Sequence, residues 1–162
     1  MKLRTGFGWA ALVAGGAACA GINANLKEPE LRLDHVIVRG IGLTGGTLDF
    51  VVDVHNPNNF DLRGTELRVG FDVNDSHLGD IEYDDDFSVN RGDTTRLTLP
   101  LRFDWTGVGS AVRSALGYGD IPYTMKGEIA LQTPFGRHSV PFTKEGRAPL
   151  TRGGGGISIP MR

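Results

Sequence analysis

The side chains with which this chain could carry out acid–base or metal chemistry are few and dispersed. His35, His55, His77 and His138 include no pair four residues apart and have no cysteine near them. A metal site would have to assemble from distant parts of the chain, so satisfied or solvated imidazoles are expected. Asp84-Asp85-Asp86 offers oxygens to a hard cation, but the glycine and terminal glutamate of an EF-hand loop are missing. The run reads as a solvated strand face or bulge. Gly40-Ile41-Gly42-Leu43-Thr44-Gly45 spells the dinucleotide fingerprint. That mechanism needs the third glycine to open a helix facing pyrophosphate, whereas an alternating strand pattern follows here, so a glycine-rich hairpin is expected. Arg91-Gly92-Asp93, a tripeptide that some adhesion receptors read, lies beside Asn90 between two strand patterns, where turn formers are needed in any case. No Gly-x-Ser-x-Gly elbow occurs. The expectation is a chain with no catalytic residue, no metal and no cofactor, hence not an enzyme.

Cys19 is the single cysteine, which excludes an internal disulfide or a thiolate zinc cluster. Lys2 and Arg4 precede an uncharged run from Thr5 to Ala18, and Gly16, Ala17 and Ala18 stand directly before the sulfur. This is the three-part layout of an export signal, and it is too short to span a bilayer, which takes roughly 20 apolar residues. The segment resembles a bacterial lipoprotein signal, with Gly16 where the usual pattern has Leu. The resemblance implies cleavage after residue 18 and acylation of Cys19, and Ala20, in place of Asp, implies sorting to the outer membrane, facing the periplasm. The partner so implied is a membrane, held through the lipid on Cys19; acyl chains contribute about 0.8 kcal/mol per buried methylene.

These features must be carried by the rest of the chain. Its formal charge of −2 leaves no basic surplus for nucleic acid. Removal of residues 1–18 leaves 15 basic against 19 acidic side chains. Residues 19–29 lack periodicity and read as a tether. From Leu31 to Leu43 apolar residues alternate but change phase near His35 and Val36, as in a bulged strand. Leu48, Phe50, Val52 and Val54 then share one strand face, with Thr47, Asp49, Asp53 and His55 on the other. Leu67, Val69, Phe71 and Val73 repeat the pattern, and Ile81, Tyr83, Phe87 and Val89 do so more weakly. Leu97, Leu99, Leu101, Phe103 and Trp105 point one way while Pro100 takes the other, which suggests an edge or a bulge. Val108, Ala111, Val112, Ala115 and Leu116 change to helical spacing, predicting one short helix over about 107–116 that is stopped by Gly117 and Gly119. Ile121, Tyr123, Met125, Ile129 and Leu131 return to alternation, and Val140 and Phe142 flank Pro141 in a last strand. About seven half-buried antiparallel strands predict an all-β sandwich of two facing sheets with one helix. Residues 147–162, with four consecutive glycines, read as a tail.

The clearest strand ends in Asn56-Pro57-Asn58-Asn59-Phe60, where several turn preferences agree. Pro57 holds Asn56 extended, and Asn58 and Asn59 can bond their own backbone. Val54-His55-Asn56-Pro57-Asn58-Asn59-Phe60-Asp61-Leu62 resembles the signature of the WHy (water stress and hypersensitive response) domain of late-embryogenesis-abundant type 2 proteins. Leu78-Gly79, Gly92-Asp93-Thr94-Thr95 before Leu97-Thr98-Leu99-Pro100, and Tyr123 to Gly127 are similar to later elements of that family, and the likeness spans about residues 30–146. The resemblance implies a fibronectin/immunoglobulin-like sandwich and a non-enzymatic role in desiccation, osmotic or cold stress, with destabilised client proteins or envelope components as partners. It carries over no active residues, and a binding role for Asn56, Pro57 and Asn58 competes with their sufficiency as a turn. The alternative is an envelope binding or assembly module that presents a sheet edge or groove to a protein or lipid.

Overall fold

In the computed structural model, residues 26–108, 110–117 and 119–153 are described. The expected export signal over residues 1–18, Cys19 and the residues after Gly153 lie outside them. The elements in chain order are β1 (Glu30–Ile41), β2 (Gly45–His55), β3 (Leu62–Val73), β4 (Ser76–Tyr83), β5 (Phe87–Val89), β6 (Thr94–Asp104), α1 (Ser110–Ala115), β7 (Asp120–Thr133) and β8 (Gly136–Arg152). Among the described residues the fold is all-β with one short helix, in line with the alternation and the single change of period.

The strands form one continuous sheet in the order β4-β3-β7-β8-β1-β2-β6, with β5 pairing beside β4 on β3. Neighbours are antiparallel except β1 and β8, which run parallel where Val36–Val38 meet Leu150–Arg152. That junction makes the architecture barrel-like, where the sequence suggested two immunoglobulin-like layers of antiparallel strands. Its cause is the length of β8, which runs past residue 146 and buries Ala148 completely before turning onto β1. The two ends of the sheet also meet. Gly79 of β4 lies against Leu101 of β6, where an added Cβ would stand 2.9 Å from a Leu101 methyl, and Thr95 Oγ1 donates to Ser88 O at 2.6 Å. The mid-domain glycine thus lets β4 pack closely against β6.

Local features follow the sequence closely. The phase change in β1 is a bulge between Leu33 and His35, with Leu31, Leu33 and Val36 all buried. β6, which carries Pro100, ends the strand order. In α1, Val112 and Ala115 are buried, and Arg113 points outward. Phe50 of β2 and Phe71 of β3 stack across the interior with ring centroids 3.9 Å apart, contributing about 0.5–1.5 kcal/mol beyond their burial. The Asp84-Asp85-Asp86 run is not a strand face: it interrupts the strand and separates β4 from β5, exposed, with Asp86 paired to Arg63. Ahead of β1, Leu26 packs against the core and Pro29 is buried.

Candidate functional site

At one end of the barrel β2 runs out into the Asn56-Pro57-Asn58 motif. Asn56 is completely buried, and Asn58 nearly so. The Asn56 side-chain amide donates to Phe60 O at 2.8 Å, Val89 O at 3.0 Å and Asn90 O at 3.2 Å. Its oxygen accepts from Asn58 N and from Asn58 Nδ2, both at 3.0 Å. The Asn56 main chain is bonded as well, N–H to Asp93 O at 2.9 Å and carbonyl from Gly92 N at 3.0 Å. Asn58 then pairs like a strand residue with the incoming chain: Nδ2 donates to Lys27 O and Oδ1 accepts from Lys27 N, each at 2.8 Å.

Three segments distant in sequence are thereby tied together, namely residues 26–29, the β2–β3 corner and the turn between β5 and β6. That turn is Arg91-Gly92-Asp93. Gly92 takes φ +66°, Asp93 N donates to Asn90 O at 3.1 Å, and Arg91 N donates to Asp61 Oδ1 at 2.9 Å. Two motifs that read separately as turns are halves of one clasp. An asparagine suits its centre because a single side chain offers two donors and an oxygen with two lone pairs, without the charge that burial would penalise. The motif is consumed in holding the fold together, leaving no polar atom of Asn56 free for a ligand.

The remaining candidates are spread over the molecule. Asp53 on the outer face of β2 is held between Arg96 (Nε–Oδ1, 2.8 Å) and Arg32 (Nη2–Oδ2, 3.4 Å). The Arg96 hydrogen bond, ahead of burial, which opposes it, keeps its carboxyl below the usual range. Arg39 likewise covers the buried Asp49 at 2.6 Å. These arginines explain how two carboxylates come to be buried on a face that the alternation assigned to solvent. His35 pairs with Asp34 at 2.8 Å, and His55 with Thr94 Oγ1 at 3.1 Å. His77 lies between Asp72 (2.9 Å) and Asp80 (3.3 Å), and the Asp72 hydrogen bond chiefly raises its pKa. His138 has a buried Nε2 without a hydrogen-bond partner. The four histidines sit on different strands, and no group of three or more metal-ligating side chains occurs among the described residues.

The opposite end of the barrel holds a feature that motif reading missed. The β1–β2 turn, the end of β6, α1 and the end of β8 enclose an open groove of about 440 Å³ lined by Ile41, Leu43, Trp105, Arg113, Leu116 and Arg152, among others. Leu43 is fully exposed and Ile41 half exposed. Trp105 is held by its indole N–H donating to Gly42 O at 2.9 Å, by Phe103 against its edge, and by the Arg113 guanidinium 4.4 Å over its ring. The available signal was Leu43 itself, an aliphatic residue at the tip of a glycine-rich hairpin where a polar one is usual. The turn connects two strands, with Gly42 N donating to Gly45 O at 2.7 Å, and has no helix to face a dinucleotide.

Residues 51–146 match the family described as Late embryogenesis abundant protein. Among solved structures, the chain is similar to the solution structure of AT1g01470 from Arabidopsis thaliana, at 20% identity over 78% of this chain and 84% of that one, with a TM-score of 0.61. It is also similar to the solution structure of a candidate late embryogenesis abundant (LEA) protein, At2g46140.1, at 20% identity over 82% of this chain and 76% of that one, with a TM-score of 0.50. These likenesses concern the fold. No curated protein matches the sequence at a significant level. With the Asn-Pro-Asn corner, the glycine contact that closes the barrel and the matched segment all lying in one domain, the chain belongs to the late embryogenesis abundant type 2 (WHy) family.

Proposed function

We propose that this protein is a non-enzymatic, lipid-anchored envelope protein that protects proteins or membranes during desiccation or osmotic stress. The observation that carries this reading is the family match over residues 51–146. It is supported by the clasp, in which the family motif serves the fold and leaves no polar group of Asn56 for a substrate. Cys19 is the lipid attachment point, at the outer membrane facing the periplasm. Leu26, the first described residue, follows Cys19 by seven positions in the sequence. The clasp holds that end of the domain, and β2 carries the groove roughly 35 Å away along 11 residues. In this reading the anchor lies on the clasp side of the domain, opposite the groove. Protection acts through weak contacts with destabilised proteins or envelope components.

Aggregation of a test enzyme during drying or freezing, with this protein or an equal mass of albumin, tests the reading. Less aggregation than with albumin is expected, and equality removes the protective role. Intact mass of the protein from host membranes, beside a Cys19→Ala variant, tests the anchor: added acyl mass on a chain beginning at residue 19 is expected, and is lost in the variant. The exposed Leu43 and the groove beside it favour a second reading, an envelope binding or assembly module. Photocrosslinking from position 43 in intact cells separates the two, because one recurrent partner supports the module and a diffuse set supports protection.

A further inference from the structure

The end of the barrel opposite the clasp combines apolar exposure with uncompensated positive charge. Its tip is the β1–β2 turn, Gly42-Leu43-Thr44, which carries no charge and holds Leu43 wholly in solvent beside the half-exposed Ile41. The turn is braced: Gly42 N donates to Gly45 O at 2.7 Å, Trp105 N to Thr44 O at 2.9 Å, and the Trp105 indole N–H to Gly42 O at 2.9 Å. Leu43 therefore projects from a fixed support, and Trp105 and Leu116 continue the apolar surface into the groove. Arg113 and Arg152 line the same groove, Arg113 stacked over Trp105, and Arg102 lies nearby at the end of β6. None of these three has an ion-pair partner among the described residues. The other charges close by cancel in pairs, Arg39 with Asp49 at 2.6 Å and Asp120 with Arg147 at 2.7 Å. Asp104 alternates with the buried Phe103, is exposed on the outer face of β6, and does not line the groove. A chain of net charge −2 thus presents one positive, apolar end.

We propose that this end docks on the surface of an anionic lipid bilayer, with Leu43 and Ile41 entering the interface, Trp105 at headgroup level, and Arg113 and Arg152 on lipid phosphates. Charge complementarity selects the occupant: unpaired guanidinium groups on an otherwise acidic chain are drawn to a negative surface, and their planar forks match phosphate oxygens. The shape agrees. A leucine exposed on every side at the tip of a braced turn is buried by a medium that yields around it, as the acyl boundary of a bilayer does. An indole flanked by apolar side chains and a cation suits the layer between headgroups and hydrocarbon. The inference rests on the binding-module reading and narrows the partner of the groove to a lipid surface. It holds with or without a lipid on Cys19; an anchor on the clasp side would make the bilayer at the tip a second surface.

Trp105 reports on the contact directly. Trp9 is the only other tryptophan, so the full chain carrying Trp9→Phe has a single indole, placed at the docking end. That chain is mixed with vesicles of phosphatidylcholine alone or with about one-third phosphatidylglycerol, the acyl chains brominated or not. With phosphatidylglycerol present, Trp105 emission is expected to shift to the blue and to be quenched by brominated chains, less so as salt is raised. Phosphatidylcholine alone is expected to give little of either. Below saturation, Arg152→Ala should lower the quenched fraction about five-fold, the share of one cation at an anionic surface, and Leu43→Asp about ten-fold or more. Both side chains are exposed, and far-UV circular dichroism checks that each variant folds. Reading the signal at Trp105 keeps attachment through residues 1–18 from counting as docking. Unquenched Trp105 on phosphatidylglycerol vesicles, equal quenching on both vesicle types, or undiminished quenching in Leu43→Asp overturns the proposal. A response to monomers of a brominated fatty acid, with none to vesicles, overturns it in favour of a single-lipid site. One recurrent protein crosslinked from position 43, with Trp105 unresponsive to vesicles, overturns it and leaves the binding-module reading standing.

Discussion

Replacing Asn56 with Ala is the sharpest test of whether the family motif is structural. The change removes three donated bonds and two accepted ones from a side chain with no solvent exposure. The bond to Val89 O and the one from Asn58 N are buried, so two main-chain groups lose their partner where water does not replace it. Each stranded group costs about 1–3 kcal/mol, giving a loss of about 4 kcal/mol. For a domain of this size that lowers Tm by roughly 10 °C. Urea unfolding followed by circular dichroism reads it as a lower midpoint with an unchanged slope. Asn56→Asp keeps the shape but turns an oxygen toward three carbonyl oxygens. It should cost more than Ala at neutral pH and recover part of the loss below about pH 4, where the acid regains a donor. Asn58→Ala frees the segment at Lys27 and should cost about 2 kcal/mol, with a coupling to Asn56 of about 1 kcal/mol in a double-mutant cycle. An Asn56→Ala protein within about 0.5 kcal/mol of the parent would refute the clasp and return the motif to the candidates for binding.

Two further outcomes follow from the closure of the barrel and from its outer face. Gly79→Val places side-chain atoms against Leu101, where a Cβ alone would already be 2.9 Å from a methyl, and should cost about 1–3 kcal/mol in thermal unfolding; an unchanged Tm would mean that β4 and β6 do not meet. Asp53→Asn removes the charge between Arg96 and Arg32 and should cost about 1 kcal/mol at pH 7. Because the native pKa of Asp53 is depressed below 3.8, its contribution is present above that value and is lost as pH falls through the native pKa. The variant should therefore show a shallower loss of stability on acidification, and parallel curves for the two proteins would show that Asp53 is not charge-paired.

The contrast between the two ends of the molecule shows what sequence reading reaches. The bulge in β1, the edge position of β6 and the helix at Ser110–Ala115 follow from the order of apolar residues within a few positions of one another. Local periodicity reports which face of an element is covered, and a change of phase or period reports where the element bends. The Asn56 and Gly92 turns were legible for the same reason, because Pro, Asn and Gly restrict the backbone locally. That Asn56 reaches Val89 and Asn90 was not, since no local rule relates residues 33 and 34 positions apart. The burial of Asp49 and Asp53 was hidden likewise, because the arginines that cover them come from neighbouring strands whose register is set by pairing.

The sequence by itself determined the all-β class, the positions of most strands, the single helix and the likeness of Asn56-Pro57-Asn58 to its family. Each of these is written in spacings of two to four residues and in the backbone preferences of single residues. Only the tertiary structure decided that the strands join into one barrel-like sheet through the parallel contact of β1 with β8. It alone made a clasp of two separate turns, and it alone gathered Leu43, Trp105, Arg113 and Arg152 around one groove. The physical reason is that pairing partners and chain ends are selected by the burial of the whole apolar surface at once, a condition that no window along the chain contains.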